Sequence, residues 1–353
     1  MKKKQAIALI AIILVVLFLA FGAIVYAKLN LINRNVEHSY ATESQLFAEE
    51  VEAADIEDTM SASSVSWAEN VDVSDLEGVT NILLIGQDKR EHDSGTTRSD
   101  SMIVCSINGE DDSLCFTSLM RDMYVPIPGY QDNRLNAAYA LGGMELLDQT
   151  VSQNFGIQVD GNIEVDLEGF VKTMATVGNI EVELNAEEAK YINENTIFGG
   201  TNDESIEMKE LHEGLNSLDA NQALAYARIR YIGNSDYERT ERQRKLLTAA
   251  FENLKGMSYA ELVSKLDDIL PNFTTDMSNA QILKIAWNVA HSHIKGSYRL
   301  PVDGTYSAEV INGMQVLVPD LQANADAFVE NINATQSSME LASADAYEEY
   351  EQD

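Results

Sequence analysis

The sequence predicts an α/β fold, a three-layer α/β/α domain with a central mixed sheet, preceded by one transmembrane helix. Three observations lead to this fold class. Residues 6–27 form an unbroken apolar run. Short apolar segments typical of buried strands alternate with longer segments of helical periodicity. The sequence shows no internal repeat of fixed length. Hydrophobic residues make up 45% of the 353 residues, which is enough for a sizeable core.

The apolar run follows Lys2, Lys3 and Lys4. A helix over residues 6–27 would be about 33 Å long, which is enough to cross a hydrocarbon core. A cleaved signal peptide is the competing interpretation, but its hydrophobic region is normally only about 7–15 residues long. Because flanking lysines stay cytoplasmic, we predict residues 1–5 inside the cell, a single-pass anchor in the cell membrane and an extracellular remainder.

Two acidic segments flank the predicted domain. No lysine or arginine occurs between His38 and Thr80, and serines cluster at residues 61–66. We therefore assign residues 28–78 to an extracellular linker. Residues 334–353 are also polar and acidic, which predicts a disordered tail. The folded domain is predicted over residues 79–333.

The first elements of the domain follow from local patterns. Residues 80–85 are a continuous apolar run that predicts a buried strand. Residues 101–107 and 113–119 are predicted to form a hairpin, because turn-forming residues lie between them. A turn centred on Glu110 places Cys105 opposite Cys115. A disulfide and a pair of buried thiols are both compatible with this placement.

Later elements follow from the same periodicities. Gly142 and Gly143 predict a weak point in the first helix, Gly156 its end, and Asp219 an N-cap. Helices are predicted at residues 136–155, 167–176, 186–195, 218–227, 237–254, 259–269, 279–294 and 320–332. Strands are predicted at residues 159–165, 180–184 and 316–318.

The charge of the chain excludes one class of function. The chain has 57 acidic and 24 basic side chains, and its formal net charge is −33. This balance argues against nucleic-acid binding, because a polyanion must meet a basic face. The two cysteines and five histidines fit no zinc-binding spacing.

Nine of the eleven arginines lie in two short windows. Guanidinium groups bind phosphate oxygens in pairs, and a protein this acidic would attract an anionic substrate only at a concentrated cationic site. Surface ion pairs with neighbouring acids are the alternative for each single arginine. The two windows contain Arg90, Arg98, Arg121 and Arg134, and then Arg228, Arg230, Arg239, Arg242 and Arg244.

Two aspartates accompany the first window. Asp88 follows the first predicted strand and Asp100 begins the next one, so neighbouring strands would bring both carboxylates to one end of the sheet. Two carboxylates and substrate phosphates are a normal way to hold Mg²⁺. Aspartate also favours turns, so either residue alone indicates little.

The order of several short motifs carries a family resemblance. The motifs are GxDxR at residues 86–90, RSD at 98–100, RD at 121–122, RLNAAY at 134–139, ARIR at 227–230 and DYERTERQ at 236–243. They span about residues 80–254 behind one predicted transmembrane helix. This ordered set resembles the LytR-CpsA-Psr family.

The resemblance implies a Mg²⁺-dependent phosphotransferase of the Gram-positive cell envelope. Such an enzyme moves a glycopolymer, for example teichoic acid or capsule, from a polyprenyl-pyrophosphate carrier to a peptidoglycan hydroxyl. Met120 and Met123 stand where the family usually has proline and threonine, which affects the local loop but keeps both charged residues.

The resemblance also implies roles for single residues. Asp88 and Asp100 would bind the metal. Arg98 and Arg121 would act in catalysis. Apart from the resemblance, phosphoryl transfer to a sugar needs a carboxylate to assist deprotonation of the acceptor hydroxyl, and Asp122 and Asp236 are the candidates. The pyrophosphate would be bound by Arg90, Arg98, Arg121, Arg228, Arg230, Arg239 and Gln243.

Two other functions are compatible with the same residues. A polyprenyl-pyrophosphate hydrolase would use water as the acceptor. A non-catalytic lipid-binding or regulatory membrane protein would bind the lipid without turnover. A transcription factor is disfavoured by the acidic charge and the predicted export together.

Overall fold

The computed structural model describes residues 22–34, 40–46, 62, 65, 67, 76–87, 98–195, 209–233 and 236–334. Residues 6–21 of the predicted anchor and residues 335–353 of the predicted tail lie outside the described residues. Within the described ranges, no helix combines the length and apolarity needed to cross a bilayer.

A six-stranded mixed sheet lies at the centre of the molecule, as the sequence predicts. The strands of the molecule are β1 (Val79–Gln87), β2 (Ser99–Asn108), β3 (Ser113–Leu119), β4 (Tyr124–Val125), β5 (Asn133–Arg134), β6 (Gly161–Asp166), β7 (Ile180–Leu184), β8 (Gly214–Leu218), β9 (Thr274–Thr275), β10 (His293–Leu300), β11 (Tyr306–Ile311) and β12 (Met314–Pro319). The order across the central sheet is β10-β3-β2-β1-β6-β9. The β1–β6 and β3–β10 pairs are parallel, and the other neighbours are antiparallel.

Helices cover both faces of this sheet. They are α1 (Leu135–Phe155), α2 (Leu167–Val177), α3 (Ala186–Asn195), α4 (Ala220–Ala227), α5 (Asp236–Lys255), α6 (Tyr259–Ile269), α7 (Asn279–His291) and α8 (Leu321–Asn333). Side chains alternate between the faces of a strand. Leu83 and Ile85 of β1 therefore pack with α1 and α8, whereas Ile82 packs with α5 and α7 on the other face.

A second apolar cluster lies beside the sheet. The β7–β8 pair packs with α2, α3 and α4, and Leu246 joins this cluster from α5. Asp219 begins α4 as predicted, because its side chain accepts from the backbone N–H groups of Asn221 and Gln222. The short α4 helix ends at Ala227, so the following arginines leave the helix end.

The predicted weak point of α1 is a kink at Gly142 and Gly143. Gly143 has φ +65°, and a Cβ at this position would lie 2.9 Å from the Tyr40 hydroxyl oxygen. Glycine is required here because a side chain would meet both backbone strain and Tyr40. Ala41 N–H also donates to the Ala140 carbonyl at 2.8 Å.

Some residues of the predicted linker therefore contact the folded part, while the boundary at residue 79 stays a prediction. At one edge of the sheet, Asn33 forms a parallel bridge with Thr274. Asn33 N–H donates to the Phe273 carbonyl at 3.0 Å, and Thr275 N–H donates to the Asn33 carbonyl at 2.9 Å. Leu29 and Ile32 pack against Leu270 next to this bridge.

The predicted helix over residues 279–294 is too long. Helix α7 ends at His291, Ser292 is extended, and His293–Leu300 form strand β10. This strand lies at the sheet edge, where most of its side chains are partly or fully accessible to solvent, so its sequence lacks the apolar signal of an interior strand.

The predicted pairing of Cys105 with Cys115 is wrong by one residue. Cys105 pairs with Phe116, and Ser106 pairs with Cys115. The two thiols therefore point to opposite faces of the sheet; both are free and buried. The turn has four residues, 109–112, so its centre lies between Glu110 and Asp111. Asp112 ends the turn with φ +53°. Burial raises the pKa of the Cys105 thiol to about 12.

Candidate functional site

The candidate site lies at the end of the sheet where β1 and β3 end and β2 begins. Gly86 pairs with Ser101 and Gln87 pairs with Ser99, so Asp100 has no partner in the ladder. This is a β-bulge, which turns a side chain away from its regular direction. The bulge directs Asp100 toward Arg121, the second residue after β3.

Arg121 is surrounded by three carboxylates. Burial alone would lower its pKa, but Asp122, Asp100 and Asp236 together raise the pKa of this guanidinium above its ordinary value. Arg121 is therefore a fixed positive charge that organises the site. Its contacts are Nη1 to Asp100 Oδ1 at 2.6 Å, Nη2 to Asp236 Oδ2 at 3.2 Å and Nε to Asp122 Oδ2 at 3.5 Å.

The carboxyl groups of Asp122 and Asp236 form a pair with opposite pKa shifts. Burial and a hydrogen bond donated to Asp236 raise the pKa of Asp122, although Arg121 opposes this shift. Burial acts against the charge on Asp236, but Arg239 and Arg121 bring its pKa below the ordinary value. Pairs whose pKa values are pushed apart are typical of acid–base chemistry.

Further arginines adjoin these carboxylates. Arg239 Nη1 lies 3.0 Å from Asp236 Oδ1, and its side chain is only 3% exposed. Burial and the nearby Arg121 lower the pKa of Arg239 to about 10. Arg230 Nη2 lies 3.4 Å from Asp100 Oδ2 at a more open position. Arg134 Nε approaches Asp122 Oδ1 at 3.6 Å.

The contacts thus join four guanidinium groups to three carboxyls, and one of those carboxyls holds its proton more tightly than usual. Arg98 directly precedes β2, and Arg228 caps α4 with its backbone N–H, so both lie at ends of elements that adjoin the site. Positive charge exceeds negative charge in this set. Such a cluster binds multiply charged anions.

Gln243 connects two elements of the site. Its Oε1 accepts from Ser101 Oγ at 2.9 Å, and its Nε2 donates to the Ala227 carbonyl at 3.4 Å. Gln243 therefore links the beginning of β2 to the end of α4, beside Arg228. Its predicted hydrogen bond to the pyrophosphate stays a prediction.

Arg242 lies one helical turn after Arg239 but makes different contacts. Its side chain is buried, with Nε at 2.7 Å from Glu188 Oε1 and Nη2 at 2.6 Å from Glu238 Oε2. Its Nη1 and Nη2 also donate to the carbonyls of Ile229 and Ile232. These carbonyls flank Arg230 and Tyr231, so Arg242 fixes the backbone that presents Arg230.

Four other residues of this region, Glu188, Gln87, Tyr139 and Glu164, had no role assigned from the sequence. Glu188 pairs with Arg242 from α3, a distant segment. Behind the end of β1, Gln87 Nε2 donates to the Tyr139 hydroxyl, and Tyr139 donates to Glu164. A buried carboxylate in a strand is the only sequence signal for this chain of hydrogen bonds.

Two predicted site residues, Asp88 and Arg90, lie outside the described residues. Among the residues that the structure describes, no group of three or more histidine, cysteine, aspartate or glutamate side chains is arranged to hold a metal ion. The described site therefore contains one of the two predicted ligands, Asp100.

Comparisons with known proteins agree with this architecture. The sequence profile of the LytR_cpsA_psr family matches residues 40–333. A protein from Oceanobacillus iheyensis named polyisoprenyl-teichoic acid–peptidoglycan teichoic acid transferase TagU is 32% identical over 255 residues, covering 69% of this chain and 72% of the relative. A protein of the same name from Enterococcus faecalis is 34% identical, covering 58% of this chain and 64% of the relative.

A third relative and a solved structure have different descriptions. Regulatory protein MsrR of Staphylococcus aureus is 28% identical over 233 residues, covering 65% of this chain and 67% of the relative. The structure of protein YwtF (TagT) with bound octaprenyl pyrophosphate lipid has a TM-score of 0.54 and 20% identity, covering 76% of this chain and 100% of that chain. At this identity the likeness shows the fold alone.

Proposed function

Since the chain belongs to the LytR-CpsA-Psr family, we propose that it is a membrane-anchored phosphotransferase with an extracellular catalytic domain. It would move a glycopolymer from a polyprenyl-pyrophosphate carrier to a hydroxyl of peptidoglycan. The observation that carries this proposal is the surplus of guanidinium groups around Arg121. In a chain of net charge −33, such a surplus is the expected recognition site for a pyrophosphate.

The names of the relatives support the same chemistry. The TagU proteins are named as transferases of teichoic acid to peptidoglycan, and the TagT structure contains a polyprenyl pyrophosphate. Both the donor lipid and the acceptor polymer of our proposal are therefore found among proteins related to this chain.

We propose Mg²⁺ as the cofactor, with Asp88 and Asp100 as its ligands. Asp100, the described member of this pair, fits this group. The Gln87–Ser99 pair ends β1 directly beside the bulge at Asp100. Each Asp100 oxygen faces one arginine and keeps a further lone pair for a cation. A bound Mg²⁺ would supply positive charge to the pyrophosphate oxygens.

The arginines would position the pyrophosphate and stabilise the charge that develops on it. Arg230 lies at the rim of the site and would meet the incoming phosphate first. Arg121 and Arg239 lie deeper, and Asp236 holds both guanidiniums in place. Because these groups are fixed before the substrate arrives, little reorganisation is needed during the reaction.

The transfer step would proceed by attack of an acceptor hydroxyl oxygen on the phosphorus next to the glycopolymer. The new P–O bond forms while the bond to polyprenyl phosphate breaks, and the polyprenyl phosphate leaves. The hydroxyl proton would go to Asp122, because its raised pKa makes the ionised form a better base than Asp236.

A labelled lipid-linked glycopolymer incubated with the full chain and peptidoglycan tests the proposal. Transfer gives label bound to the wall material, and we expect it to require Arg230. Soluble labelled glycan would instead indicate the hydrolase. Lipid binding without any turnover would indicate the regulatory protein, a candidate that the name of the MsrR relative favours.

A further inference from the structure

We propose that a cleft beside β11 and β12 binds the neutral sugar chain of the acceptor. The sugar-binding cleft is defined here as Tyr306, Thr305, Ser307, Val318, Asp320 and Ala323. The inference rests on the proposed transferase function, because it assigns a place to the second substrate of that reaction.

The cleft is attached to the candidate site through the backbone. Leu317 N–H of β12 donates to the Asp122 carbonyl at 2.9 Å. Arg134 approaches Asp122 through its Nε, and its Nη2 donates to the Gln315 carbonyl at 2.9 Å. The β11–β12 hairpin therefore forms one wall beside Asp122.

Tyr306 extends the contact to Asp236. The Tyr306 ring lies 6.2 Å from the Tyr237 ring, at an interplanar angle of 30°. Tyr237 directly follows Asp236 in α5. An acceptor lying against Tyr306 would therefore lie close to Asp236 and to Asp122, the proposed proton acceptor.

The size and chemistry of the cleft fit a sugar. Its volume is about 340 Å³, which is within the range of small-molecule sites. The apolar C–H face of a pyranose packs on an aromatic ring, as Tyr306 offers, while sugar hydroxyls need polar partners. Thr305, Ser307 and Asp320 line the same cleft. The Thr305 hydroxyl donates to the Val302 carbonyl and the Asp320 carboxylate accepts from Ala323 N–H, so both keep acceptor positions for sugar hydroxyls.

The charge of the cleft excludes a polyanion. None of the six residues that define it is cationic. Arg299 lies nearby, but its guanidinium lies over the Tyr237 ring at 4.5 Å and its Nη2 is 2.6 Å from Asp303. The local charge is therefore negative, so a phosphate-rich donor polymer would be repelled here and a neutral amino-sugar chain would not.

The first test measures binding of chitotetraose, a neutral N-acetylglucosamine oligomer, to the full chain in detergent micelles by calorimetry. We expect the wild type to bind and Tyr306→Ala to bind about tenfold more weakly or worse, because it loses the aromatic contact. Tyr306→Phe should keep most of the affinity. Tyr259→Ala, which removes an exposed tyrosine from α6, is the matched control and should bind normally.

A second variant protects the test against misfolding. Ser307 is exposed on strand β11, where an aromatic residue is compatible with the strand. Ser307→Trp should fill the cleft and weaken oligosaccharide binding while leaving the melting temperature unchanged. Failure of the wild type to bind chitotetraose, or unchanged binding in both Tyr306→Ala and Ser307→Trp, overturns the inference.

Transfer kinetics separate this inference from the proposed function. We expect Tyr306→Ala to raise the KM for peptidoglycan about tenfold and to leave the KM for the lipid donor unchanged. Transfer with an unchanged acceptor KM would refute the cleft and leave the transferase standing. Tyr306-dependent sugar binding by a wild type without transfer would refute the transferase and leave the cleft standing.

Discussion

Arg121 and Arg242 are both held by carboxylates, but the two regions differ in their balance of charge. Around Arg121, Arg239, Arg230 and Arg134 add further positive charge, and Asp122 retains its proton more tightly than usual. Arg242 instead has two carboxylate partners, Glu188 and Glu238, at 2.7 and 2.6 Å. The region around Arg121 has an excess of positive charge, whereas the region around Arg242 has no such excess.

This difference distinguishes a binding arginine from a structural one. An arginine whose charge is fully matched gains nothing from a phosphate, and its removal takes a charged partner from its carboxylates, of which Glu188 is buried. An arginine in a surplus has less to lose on mutation and more to gain from an anion. We therefore expect different roles for Arg239 and Arg242, which lie three residues apart on one helix.

The largest effect is expected from removing Arg242, whose charge is matched by two carboxylates. Arg242→Ala should lower the free energy of unfolding by about 3–5 kcal/mol, because Glu188 and Glu238 lose their buried partner. Denaturant unfolding of the full chain measures this loss. Lys245→Ala is the control, since its ion pair with Glu241 is exposed and should contribute little. A small effect of Arg242→Ala would mean that the pair is not needed for the fold.

Breaking the surplus region should affect catalysis and not folding. Arg230→Ala and Arg228→Ala should each lower the transfer rate about 10²- to 10³-fold, because each removes a charged contact to the pyrophosphate. Melting temperatures should stay close to the wild type. Lysine at either position should restore only part of the rate, because it lacks the planar fork. Wild-type rates in both alanine variants would contradict the assigned site.

The metal prediction sharpens the comparison within the surplus region. Asp100→Asn should weaken Mg²⁺ binding about tenfold or more in the presence of a soluble pyrophosphate-lipid analogue, because one of two anionic ligands is lost. Calorimetry with and without the analogue measures this. Asp303→Asn is the control, since Asp303 is an exposed carboxylate paired with Arg299. Equal Mg²⁺ affinity in Asp100→Asn and wild type would place the metal elsewhere.

The smallest effect is expected at Asp148, which lies near other carboxylates. Burial, with help from Asp276 and Glu145, raises the pKa of Asp148 to about 7, against the hydrogen bond from Asn162. The folded chain then binds more protons than the unfolded chain between about pH 4 and 7, so stability should fall as pH rises through this window. Asp148→Asn should flatten this slope and raise stability at pH 8 by on the order of 1 kcal/mol. Thermal unfolding from pH 5 to 8 measures both, and an unchanged slope would contradict the shift.

Local patterns predicted much of the fold. The strands over residues 80–85 and 113–119 and helix α6 were found because buried apolar runs and helical periodicity are local signals. Strand β10 was missed because it lies at an edge and shows no apolar alternation. The cysteine register was missed because one residue of turn geometry reverses the face of every side chain.

In the candidate site too, local features could be predicted from the sequence and features that depend on packing could not. Arginine clustering indicated the anion site, because the sequence shows charge directly. The bulge that turns Asp100 toward Arg121 depends on the pairing of two strands, and the match between Glu188 and Arg242 depends on the packing of α3 against α5. Neither has a local signature. Arg242 lies in the same arginine window as Arg230 and Arg239 but is outside the set predicted to bind the pyrophosphate, and in the structure it pairs with Glu188 and Glu238.

The bridge between Asn33 and Thr274 has a consequence for self-association. Strand β9 has only two residues, and an open edge of this kind invites pairing with a strand of another molecule. Here the Phe273 carbonyl and the Thr275 N–H already bond to Asn33. The chain that arrives from the N-terminus thus occupies this edge itself. A second copy would have to displace that segment before it extended the sheet from this side.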